Sequence, residues 1–164
     1  MKSTKIFFDL DGTLFDLYSK KNWLERLQNE DATVFDGDGM TRGFMPDIDH
    51  TFFEVINDLL DKGVQFEVIT WLPMNASPEY EFACELRKRL WVKENLPFIS
   101  KVTCLSYGMP KQNAISQRAS TMILIDDNAE ICEMWNTAKM RQAILVDSDY
   151  TVTNALASIL DSLD

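Results

Sequence analysis

The chain has 164 residues, a formal net charge of −10 and a 46% hydrophobic composition. That length gives one domain, residues 1–164, able to bury a core without disulfide or metal staples. The acidic balance opposes non-specific attachment to nucleic acid or anionic membranes, and no apolar run approaches membrane-spanning length. Met1-Lys2-Ser3-Thr4 leads into a short strand rather than a secretory leader. Cys84, Cys104 and Cys132 lie scattered in apolar segments without CxxC spacing, which suits reduced core thiols of a cytoplasmic protein. Small anionic substrates stay open, because a bound cation can reverse the local field.

In chain order, the first predicted strand covers residues 5–10, a β-branched and aromatic run that delivers Asp9 and Asp11 onto a turn marked by Gly12. Residues 17–47 then interrupt the pattern. They begin at helical spacing (Tyr18, Trp23, Leu24, Leu27) and become loop-like through Asp36-Gly37-Asp38-Gly39, which lacks the later positions of a calcium loop. A segment this long inside a compact domain is usually functional. Apolar residues at helical spacing predict a helix over 48–60, stopped by Lys62-Gly63, and strand two follows over 64–70. Ser77-Pro78 reads as an N-cap with Pro at the first helical position, opening a helix over 78–94. Strand three covers Ile99–Leu105, strand four 122–126, a helix 131–138, strand five 143–147 and a last helix 151–163. Short continuous apolar runs alternating with helices predict a doubly wound α/β fold around a mainly parallel five-stranded sheet.

Each candidate residue falls at the C-terminal end of a strand, where open α/β sheets bind ligands. Asp9-Leu10-Asp11-Gly12-Thr13 resembles motif I of the haloacid dehalogenase (HAD) superfamily, whose members are mostly phosphatases with an aspartate nucleophile and Mg2+. Thr70, Lys111 and the pair Asp126-Asp127 follow at the positions of motifs II, III and IV. The resemblance implies that Asp9 attacks phosphorus and that Asp11 acts as acid and then base, ligating the metal through its backbone carbonyl. It implies that Thr70 and Lys111 bind the phosphoryl group, and that Asp126, with Asp127 beside it, completes the metal site. It also implies that residues 17–47 form a small cap over the site. Four carboxylates against Lys111 alone leave one negative charge even after a divalent cation is added, and all-oxygen ligands favour Mg2+ over Zn2+.

Finer features resemble the 5'(3')-deoxyribonucleotidases. These are Tyr80, Lys88 and the run from Trp91 to Ile99, then Ile123-Leu124-Ile125-Asp126-Asp127-Asn128 with Trp135. The insert is shorter than that family's helical cap. The expected activity is therefore a Mg2+-dependent phosphomonoesterase, with a nucleotide as the expected substrate. The alternatives are another small phosphate ester, a nucleic-acid 3'-phosphate, or a non-catalytic binding protein of the same fold. Trp23, Phe35 and Phe44 suit either base stacking or packing of the cap on the core, and Trp71 suits the pocket rim. Asp127 also fits a helix capping box with Glu130. His50, the single histidine, is expected exposed near a helix start and outside the chemistry.

Overall fold

The computed structural model describes residues 3–37 and 50–163. Five strands form one all-parallel sheet: β1 (Thr4–Phe8), β2 (Gln65–Trp71), β3 (Ile99–Leu105), β4 (Thr121–Asp126) and β5 (Arg141–Leu145). Their order across the sheet is β3-β2-β1-β4-β5. Among the described residues the helices are α1 (Trp23–Gln28), α2 (His50–Asp61), α3 (Pro78–Asn95), α4 (Ala129–Trp135) and α5 (Val152–Ser162). Short 3₁₀ turns lie at Ala32–Phe35 and Lys111–Ala114.

Alternation along the strands explains the layers. Ile6 and Phe8 of β1, Phe66 and Val68 of β2, and Ile123 and Ile125 of β4 point to one face. There they meet Phe52, Ile56 and Leu59 of α2, Trp91 and Val92 of α3, and Leu156 and Ile159 of α5. Phe7, Ile69, Met122 and Leu124 point to the other face, against Ile131 and Trp135 of α4 and Ala114 beside them. The central strand β1 is buried along its whole length, as the continuous apolar run requires.

The doubly wound reading of the sequence is what the fold shows. Predicted boundaries shift by a few residues, most at the edges. β5 starts at Arg141 rather than 143 because its first two residues, the half-buried Arg141 and the exposed Gln142 of this edge strand, carry no apolar signal. α4 starts earlier and stops at Trp135, where the Asn136 side chain accepts from the Ala143 amide at 2.6 Å and turns the chain into β5. In this order the connections reverse direction between β1 and β4, so a crevice opens beyond the C-terminal ends of those two neighbours.

Candidate active site

The chain leaves β1 through a tight turn in which the Leu10 carbonyl accepts from the amides of Thr13, Leu14 and Phe15. Gly12 sits in this turn at φ +85°, and a β-carbon there would run into the Tyr18 ring and the Asp127 carboxylate. Only glycine lets the backbone pass between them. The turn carries Asp9 and Asp11 to the reversal point, while β4 brings Asp126 and Asp127 alongside.

Carboxylate oxygens of Asp9, Asp126 and Asp127 lie within 4.8 Å of one another and could hold a metal ion. The Asp11 carboxylate stands outside this group. Asp127 is not the helix cap that its sequence allows. Asn128 is the N-cap of α4, and its side chain accepts from the amides of Glu130 at 3.0 Å and Ile131 at 3.3 Å. The Asp127 carboxylate instead accepts from the Thr13 hydroxyl at 3.2 Å and stays with the cluster. Asp126 is fixed from two sides, by the Asn128 amide at 2.9 Å and by Lys111.

Lys111, 3% exposed, opens the 3₁₀ turn after β3 and places Nζ 2.5 Å from Asp9 and 2.7 Å from Asp126. Trp71, at the end of β2, braces that loop: its indole Nε1 donates to the Met109 carbonyl at 2.8 Å, and its ring packs on Tyr107.

The sequence reading assigned no role to Lys88. From the middle of α3 its ammonium meets Asp11, the Thr70 hydroxyl at 3.0 Å and the Trp71 carbonyl at 2.7 Å. A signal was available, because Lys88 falls on the buried stripe formed by Tyr80, Cys84, Trp91 and Val92. Thr70 is fully buried and does not line the cavity; its hydroxyl is held by Lys88. The second ammonium changes the charge balance. Four carboxylates against two lysines leave two negative charges, which one divalent cation offsets.

Titration follows burial and crowding. Burial, reinforced by Asp9 and then Asp126, pushes Asp127 up to about 7. Burial and Asp9 push Asp126 up to about 6, against Lys111. Asp11 is also raised, by burial first, with Lys88 opposing and Asp9 adding to the rise. Burial works against the Lys111 ammonium, yet Asp9 and Asp126 more than compensate and raise its pKa. Such a set gathers protons in the absence of a cation and sheds them to bind one.

A cavity of about 600 Å³ opens over these groups. Its outer wall includes Tyr18, Trp23, Leu24, Trp71, Met74 and Tyr107. The described part of the insert thus contributes side chains to the site, and Trp23 also packs partly against the core, edge-on to Tyr18 at 5.0 Å. Phe35, 3% exposed, packs in the core and also lines the cavity, whereas Phe44 lies outside the described residues. His50 begins α2, exposed beside Glu54, and is not among the residues that line the cavity.

No protein-family model matches the chain, and no curated protein matches it. Among the described residues no helix is long and apolar enough to cross a membrane, and Cys84, Cys104 and Cys132 carry free thiols.

Proposed function

We propose that this chain is a Mg2+-dependent phosphomonoester hydrolase that works through an aspartyl-phosphate on Asp9, with a nucleotide as its substrate. The observation that carries the reading is the convergence of Asp9, Asp126 and Asp127 with Lys111 beneath an apolar and aromatic cavity. The resemblance of the motifs to the HAD superfamily points the same way. Buried acidic oxygens in this number suit a hard divalent cation, and Asp9, Asp126 and Asp127 would hold it with the Asp11 carbonyl. When bound, Mg2+ supplies the charge neutralisation that lets a phosphate dianion approach four carboxylates.

The chain's own residues do the rest. Asp9 attacks phosphorus and the bond to the leaving oxygen breaks, while Asp11 gives that oxygen its proton. Asp11 then takes a proton from water, which attacks the aspartyl-phosphate and frees inorganic phosphate and Asp9. Lys111 compensates charge on the transferred group and keeps Asp9 aligned. The planar side chains of the outer wall suit a flat, partly apolar leaving group such as a nucleoside.

Hydrolysis of a panel of nucleoside monophosphates, sugar phosphates and an aryl phosphate, with Mg2+ and with EDTA, tests the proposal. Asp9→Asn is expected to abolish turnover while melting like the wild type, since an amide cannot attack phosphorus. Full activity in Asp9→Asn, or after exhaustive chelation, would falsify the mechanism.

A further inference from the structure

We propose that Lys88 is a positioning residue that sets the orientation of Asp11, an inference that rests on the phosphatase reading. Lys88 is 1% exposed, and a lysine so deeply buried is strongly disfavoured unless its charge and donors are all met. An ammonium has three protons, and three acceptors surround this one: Asp11 Oδ2, Thr70 Oγ1 and the Trp71 carbonyl. The Phe35 ring, 4.7 Å from Nζ, closes a further side. Lys88 therefore ties the turn after β1 to the end of β2 through one atom.

The two Asp11 oxygens are treated differently. Oδ2 is gripped by Lys88, whereas Oδ1 is buried and has no hydrogen-bond partner. Asp11 itself lines the cavity. The clamp fixes the Asp11 carboxyl group in one orientation at the cavity wall, with Oδ1 turned into the protein. A structural strut would need only to be satisfied; a strut that holds one oxygen of Asp11 also fixes how the carboxyl group faces the leaving oxygen. Lys111, by contrast, contacts Asp9 and Asp126, so the two lysines divide the acid cluster between them.

Leaving-group dependence separates positioning from mere support. An alkyl phosphate needs a proton on its departing oxygen, whereas 2,4-dinitrophenyl phosphate does not. In single-turnover assays with Mg2+, Lys88→Met is expected to cleave the alkyl ester about 100-fold more slowly than the wild type, within the usual contribution of an acid catalyst. Its burst of dinitrophenolate should stay within about threefold of the wild-type burst by the same reasoning. Lys88→Arg keeps the charge in a different shape, so it should fold and show the same selective loss if Lys88→Met does not fold. Parallel loss on both esters, in an active protein, overturns the positioning role alone. An inactive wild type overturns the phosphatase reading and this inference with it.

Discussion

Trp23 stands where the insert meets the cavity: it packs edge-on to Tyr18 and against the core, and it also lines the space above the carboxylates. If its ring stacks a base, binding energy far from phosphorus helps to align the ester for attack. Trp23→Ala should then lower kcat/KM for the preferred nucleotide about tenfold or more, from a stacking contact of ~1–3 kcal/mol, and leave a small aryl phosphate nearly unchanged. Equal losses on both, with earlier melting, would make Trp23 a core residue only. At this scale the acidic positions were legible, because a strand ending in Asp-x-Asp makes little sense without chemistry to explain it. Lys88 was not. Phe82, Leu86 and Leu90 stand exposed on the opposite side of α3, so the helix shows no clean polar face, and a lysine within it passes for a solvated one. Asp127 shows the converse: it fits a capping box in sequence, yet Asn128 caps α4 and the Asp127 carboxylate accepts from Thr13 instead.

Between elements, the placement of Lys111 depends on a loop with little regular structure of its own. The Trp71 indole ties that loop to β2 through the Met109 carbonyl, and the ring also lies 5.7 Å from the Lys111 ammonium. Trp71→Phe keeps most of the aromatic surface and removes only the donor. Stability should fall by about 1 kcal/mol, the usual net worth of such a hydrogen bond. kcat should fall further, about tenfold, because small displacements of a charge-compensating group are felt strongly in the rate. Thermal melting and steady-state rates on the same samples check this; a variant that melts earlier yet turns over normally would show that the loop holds Lys111 unaided. The strand and helix order was legible from apolar runs and breakers. The 3₁₀ turn that presents Lys111 was not, since Gly-Met-Pro-Lys announces a turn without stating which way its side chains face.

For the molecule as a whole, the acid cluster links folding to pH and to cations. Asp126 and Asp127 titrate at about 6 and about 7, above the 3.8 expected of a free aspartate. Groups raised in this sense contribute stability that is complete below about pH 4 and is lost as pH climbs through 6 and 7, because the folded state binds more protons than the unfolded one. Metal-free protein should therefore melt at a lower temperature at about pH 8 than at about pH 5.5. A divalent cation favours the deprotonated forms, so added Mg2+ should raise the melting temperature more at the higher pH. Scanning calorimetry at both pH values, with Mg2+ and with EDTA, checks the pair of trends; a Mg2+ shift independent of pH would mean that the cation does not compete with these protons.

The place of β1 in the middle of the sheet bears on how the molecule comes to exist. Its partner β4 and the loop of Lys111 arrive late in the chain; Lys111 is 102 residues from the aspartate it meets. During synthesis, β1 can pair with β2 well before its other edge finds β4, and in that interval an apolar strand presents unpaired backbone groups to its surroundings. Because the acid cluster closes only when β4 docks, a nascent chain has no such cluster until β4 has been made. A cation that binds this cluster therefore cannot guide the early steps of folding.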